Sequence, residues 1–276
     1  SYEPPNFLVQ TLNVMFAQMK SFYKGKAMYV LIGIIALIPI LILILPDYID
    51  ELAIAMGATV SNAYTGYLLC FLPLVMAFFT AKQCGTQIPN EFKSRTVFLS
   101  LPMPMHRLSF YFGKYLAGFL YCLALFLLAF GVAVACTSMK FDNFYNDVLL
   151  EALAGTVVAI LVYSSTAFCI GCFIRRGSVL LPLVLNLVVF PFLFIYIAVG
   201  YDMSAALMMP SFLPDAVIQS LGFPISASLS GGSYAVVLMG GTGFELGSMW
   251  AMCAIGVVWS LGFLALGAFH MTRREA

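Results

Sequence analysis

Six stretches of this chain run for about 20 positions without a single Asp, Glu, Lys or Arg: residues 27–45, 61–81, 115–137, 152–174, 179–201 and 248–271. Crossing roughly 30 Å of hydrocarbon takes about 20 residues of helix, so each run is long enough to span a bilayer. Backbone groups in lipid must be satisfied within the segment or in a closed barrel. The runs are apolar throughout rather than alternating, which excludes barrel strands and leaves helices. With 62% hydrophobic and 9% charged residues, an ordinary soluble domain is excluded as well. The expected fold is an all-α polytopic membrane protein with six transmembrane helices, a single transmembrane domain over 1–276.

Charge sets the expected orientation, because Lys and Arg gather on the cytoplasmic side of short loops. With both termini in the cytoplasm, Lys20, Lys24, Lys26, Lys82, Lys93, Arg95, Arg107, Lys114, Arg175, Arg176, Arg273 and Arg274 all lie inside, and of the 13 basic residues only Lys140 lies outside. Asp47, Asp50, Glu51, Asp142, Asp147, Glu151, Asp202, Asp215 and Glu245 fall outside. A multi-pass protein of the plasma membrane follows. The basic residues flank spans and need only lipid headgroups as counter-ions, so nothing points to nucleic acid.

Residues 5–24 form a different kind of helix. Leu8, Leu12, Met15, Phe16, Met19, Phe22 and Tyr23 recur at helical spacing, opposite Gln10, Asn13, Lys20, Ser21 and Lys24. An amphipathic helix of this kind lies in the headgroup plane, as a lipid anchor or as a link from a cytoplasmic partner to the first span. In the fifth span Pro182 and Pro191 flank Asn186, which predicts a kink and an interhelical hydrogen bond. Residues 202–247 are apolar but rich in Gly and Ser and broken by Pro210, Pro214 and Pro224. A seventh span there would move Arg273 and Arg274 outside. The expectation is an external, partly re-entrant segment covered by protein.

Much familiar chemistry is missing. There is no GxxxxGK[ST], HExxH or GxSxG, so the chain holds no nucleotide, zinc-protease or serine-hydrolase site of those kinds and is not expected to be an enzyme by itself. No metal or cofactor site is expected: Cys169 and Cys172 match CxxC but lie in an apolar helix without His or acid neighbours, where packing is the expected role. No ionisable residue lies in the middle of a predicted span, unlike ion-coupled carriers. Energy has to come from elsewhere.

The charge that remains is concentrated in the loop 82–114. Its core reads Asn90-Glu91-Phe92-Lys93-Ser94-Arg95-Thr96-Val97-Phe98-Leu99-Ser100-Leu101-Pro102-Met103-Pro104-Met105-His106-Arg107, followed by Lys114-Tyr115. This stretch, with the six-span layout and the N-terminal helix, resembles the type-2 ABC transporter permease family, exporter membrane subunits of the peptide, bacteriocin or toxin type. Arg95 stands where the family often has Gly, and Met105-His106 replaces its usual Ser before Arg107.

The resemblance implies a short coupling helix that docks on a separate ATPase, with ATP and Mg held by that partner and none in this chain. It also implies a second permease, a copy or a homologue. Glu91, Lys93, Arg95 and Arg107 would supply charge at the docking rim, and Phe92, Val97 and Phe98 apolar anchors. Asn186, Phe71, Phe78, Phe119 and Phe126 are candidates for the translocation path. The expected cargo is a hydrophobic or amphipathic molecule, first a membrane-active peptide and next a drug or lipid. An ATPase-independent channel or pore is the competing class.

Overall fold

In a computed structural model the protein is described at residues 6–23, 32–33, 37, 65–66, 69, 72–93, 106–140, 147–174, 179–193, 210–221 and 249–273. The first expected span, the loop tip with Arg95, Val97 and Phe98, and Phe71 lie outside or almost wholly outside them. The described residues form helices α1 (Phe7–Tyr23), α2 (Leu72–Gln83), α3 (Gln87–Lys93), α4 (Arg107–Lys140), α5 (Asp147–Phe173), α6 (Leu180–Val184), α7 (Leu213–Ser220) and α8 (Met249–Arg273), with no strand among them. Among the described residues three stretches, Arg107–Met139, Val148–Phe173 and Met249–Arg273, are long and apolar enough to cross a membrane.

Helix α5 is the axis of the bundle. It is largely apolar around its circumference, as a helix enclosed by others must be, and among the described helices α2, α3, α7 and α8 pack chiefly against it, while α1 and α4 pack chiefly against each other. It runs parallel to α8. Gly256 of α8 sits against Val158 and Val162, where an added Cβ would come within 3.1 Å of each, and Phe173 stacks on His270 with ring centroids 4.2 Å apart. Helix α4 runs antiparallel to α8: the Tyr111 hydroxyl donates to the Leu264 carbonyl at 2.9 Å, and Arg107 Nη1 to the Thr272 carbonyl at 3.3 Å. At the opposite end of the bundle the hydroxyls of Thr65 and Thr137 meet at 3.1 Å. Aromatic contacts fill the interior, with Tyr111 and Tyr115 both against Phe168 and Phe79 edge-on to Phe126.

The prolines of the fifth apolar run act through a π-turn. Helix α6 widens at Leu185–Val189, where the Phe190 amide reaches back to the Leu185 carbonyl, and the helix continues to Leu193. Pro191 lacks an N–H and its ring crowds the preceding turn, and one extra residue in the turn relieves that crowding. Asn186 lies inside this turn and is buried.

Helix α1 packs along α4 with its more polar side toward the protein. Gln10, Thr11 and Met15 face the protein, while Leu8, Val9, Leu12 and Phe16 are exposed. The polar residues earn this placement by hydrogen bonding: Gln10 Oε1 accepts the His106 amide at 3.0 Å, and Ser109 Oγ donates to the Phe7 carbonyl at 3.3 Å. The apolar side is thereby turned outward, where a headgroup layer would cover it. Close approach requires Gly113, since a Cβ there would lie 2.7 Å from both the Thr11 carbonyl oxygen and Val14 Cβ. Gly113→Val is expected to lift α1 from α4 and speed tryptic cleavage at the exposed Lys20 by about tenfold, read by mass spectrometry of timed digests.

Candidate functional site

The turn Cys84–Thr86 brings α2, α3, α4 and α5 together at the end of the bundle that also carries α1. Glycines allow the approach. A Cβ on Gly171 would collide with the Gly85 carbonyl, so the α2–α3 turn rests directly on the backbone of α5. On the other side, a Cβ on Gly118 of α4 would lie 2.9 Å from Cys84 Sγ. Cys84 is fully buried, and contact with the Cys122 thiol together with burial holds its pKa well above the ordinary thiol value.

This packing aims α3 at a single cation. Lys114, 3% exposed on α4, forms an ion pair with Glu91 of α3 at 2.5 Å. Its ammonium also donates to Gln18 Oε1 of α1 at 3.1 Å and lies 5.0 Å from the centre of the Phe110 ring. One buried lysine thus ties α1, α3 and α4 to a common point. A buried ammonium is costly unless paired and hydrogen-bonded, and here the carboxylate, the amide and the ring supply both.

Beside this node, α1, α2 and α3 enclose a polar groove of about 410 Å³ lined by Gln18, Ser21, Lys82, Gln83, Gln87 and Asn90, among others. Gln87 is 5% exposed, and neither of its amide atoms has a hydrogen-bond partner among the described residues.

The residues singled out from sequence fall into three sets. Glu91 and Phe92 belong to the α3 node: Glu91 turns inward to Lys114, and Phe92 packs half-buried against the core. Lys93 is exposed at the end of α3, and Arg107 bonds the last turn of α8 instead of joining α3. Among the path candidates, Asn186 accepts a hydrogen bond from Thr166 Oγ1 at 2.8 Å, and its Nδ2 has no partner among the described residues. Phe126 is fully buried, Phe119 stacks on Tyr115, and Phe78 is exposed. They do not form one cluster. The CxxC pair is buried, with the Cys172 thiol donating to the Phe168 carbonyl at 3.3 Å.

The sequence reading missed Gln18 and Gln87, which carry no charge. Lys114 reads in sequence as a flanking cation because it stands directly before the uncharged run 115–137, and no local pattern marks it as buried.

A family model described as "ABC-2 family transporter protein" matches residues 22–193, well over half of the chain. The chain belongs to the ABC-2 transporter family. The matched region holds α2 to α6 and therefore the Glu91–Lys114 pair and the turn beneath it. ABC-2 proteins are membrane components of ABC transporters that work with an ABC ATPase partner, and this one is an integral membrane protein of that kind. No curated protein matches the chain.

Proposed function

We propose that this ABC-2 protein is the membrane-spanning subunit of an ATP-driven exporter that moves a hydrophobic or amphipathic substrate, first a membrane-active peptide, out of the cytoplasm. Helix α3 is the coupling element and the groove between α1, α2 and α3 receives the ATPase. The observation that carries this reading is the Lys114 node. A displacement of α3 by a docked partner would be passed at once to α4 through Glu91 and to α1 through Gln18, because a buried ion pair resists separation. The groove's amides, hydroxyls and the Lys82 ammonium suit a polar, charge-complementary protein surface.

The test is reconstitution of the tagged chain with its co-purifying ATPase in proteoliposomes. Phe92→Ala is expected to keep the chain monodisperse, while ATP-driven export falls by about tenfold or more through loss of a half-buried aromatic on the coupling helix. Full export by Phe92→Ala counts against this assignment.

A further inference from the structure

The groove between α1, α2 and α3 has free hydrogen-bonding groups apart from the Lys114 node beside it. Four carboxamides, Gln18, Gln83, Gln87 and Asn90, line its volume of about 410 Å³ together with Lys82. Gln18 is committed, because its Oε1 accepts from Lys114 at 3.1 Å, and Glu91 at the groove's edge pairs with the same lysine. Lys82 and Gln87 are not. Lys82, half-buried in the last turn of α2, has no ion-pair partner for its ammonium among the described residues. Gln87 is 5% exposed at the start of α3, and neither its Oε1 nor its Nε2 has a partner among the described residues. Gly118 of α4 backs this amide: a Cβ there would collide with Nε2. Helix α4 thus presents bare backbone to it, whose own N–H and C=O groups are paired within the helix.

The free groups decide what fits. A buried amide left unpaired is costly, and a ligand that pairs it on binding recovers that cost. A carboxamide with both donor and acceptor free matches another amide, and the peptide unit is the amide that every residue of a protein partner carries. A simple anion would satisfy Lys82 and Nε2 but leave Oε1 without a donor. An incoming α-helix has its amides paired internally, whereas an extended segment keeps them available. The free ammonium of Lys82 asks for a carboxylate. We infer that the groove takes an extended, acidic segment of the ATPase, its main chain paired with Gln87 and one carboxylate on Lys82. The groove lies within the usual range for ligand pockets, roughly 300–1,000 Å³, which suits a short stretch of chain.

This deepens the exporter reading and rests on it for the identity of the partner; the free groups add the conformation and charge of the segment that enters. The full chain and its co-purifying ATPase are separated, and their affinity is measured by biolayer interferometry. Lys82→Glu is expected to weaken binding by about tenfold or more, and Lys82→Arg by less than about threefold. Lys20→Glu makes the same change in net charge on the exposed side of α1, outside the groove, and is expected to stay within about threefold. Gln87→Met keeps the length of the side chain without its amide. It is expected to weaken binding about threefold to tenfold, yet to raise the unfolding temperature of the free chain by about 2 °C, because no hydrogen bond is lost there. In the wild-type complex a water-soluble carbodiimide is expected to join Lys82 Nζ to an Asp or Glu of the ATPase as an amide, the reagent leaving as its urea, read by mass spectrometry. Unchanged affinity in Lys82→Glu or Gln87→Met, a lowered unfolding temperature for Gln87→Met, or a complex without a cross-link at Lys82 would each overturn the groove assignment and leave the exporter reading standing. A wild-type chain that binds no ATPase would overturn both.

Discussion

Replacing Glu91 by Gln is expected to lower the unfolding temperature of the purified chain by roughly 5–10 °C and to abolish export. The cost falls on the residue left behind. Lys114 is 3% exposed, and once the carboxylate is an amide its ammonium meets only neutral oxygens, that amide's and Gln18 Oε1 at 3.1 Å, beside the Phe110 ring. Breaking a buried pair on one side costs about 3–5 kcal/mol. Glu91 is 24% exposed on its side chain, so water reaches the site and the lower end of that range applies. The double variant Glu91→Leu with Lys114→Met separates stability from coupling. Apolar residues of similar volume remove both charges together and are expected to recover most of the unfolding temperature. Export is expected to stay lost, because the bond from Lys114 to Gln18 of α1 goes with the lysine. Thermal unfolding followed by tryptophan fluorescence, alongside transport in proteoliposomes, reads both quantities. Wild-type export by the double variant would reduce the pair to a structural contact.

The helical membrane class and three of the spans were legible because hydrocarbon imposes a length and an absence of charge that any sequence must show. The amphipathic helix was legible for a similar reason, but the helix it packs against was not. Periodicity separates two sides without saying what each one meets, and here Gln10 turns inward because the His106 amide at the start of α4 is at hand, while the Thr11 hydroxyl donates to the Phe7 carbonyl of its own helix. Buried ionisable residues were the larger omission. Lys114 stands at the edge of an apolar run and reads as a solvated flanking cation, and Asp215 falls outside in a segment expected to be partly re-entrant and covered by protein, without being picked out as a buried carboxyl; the fold buries both. Helix α7 lies far in sequence from its packing partners Gly155 and Gly256, and no local pattern reports contacts over that separation.

The contact between the α2–α3 turn and α5 has no side chain in it, and that makes it the most sensitive point of the coupling end. In Gly171→Ala the new methyl would meet the Gly85 carbonyl, with the Gly85 carbonyl carbon at 3.1 Å and its Cα at 3.3 Å. Backbone cannot change rotamer, so the turn itself has to move. The reverse change is no easier. A Cβ on Gly85 would lie 2.6 Å from the Ala81 carbonyl oxygen and 3.0 Å from Pro182 Cγ of α6. Overpacking of this kind costs about 1–3 kcal/mol when neighbours can yield. Gly171→Ala is expected at the upper end, and Gly171→Val, whose branched side chain has nowhere to go, beyond it. Gly131 and Gly262 are the controls, since a Cβ at either meets nothing within 4 Å. Alanine at those sites should stay within about 1 kcal/mol of the wild type. The functional consequence is directional. Pushing the turn away from α5 carries α3 with it, so Gly171→Ala is expected to insert into the membrane and to lose most of its export, with Glu91 drawn off Lys114. Thermal unfolding of the four variants together decides the matter. Equal stability of Gly171→Ala and Gly262→Ala would mean that the backbones of Gly85 and Gly171 do not touch, and the path from α3 into α5 would have to be sought elsewhere.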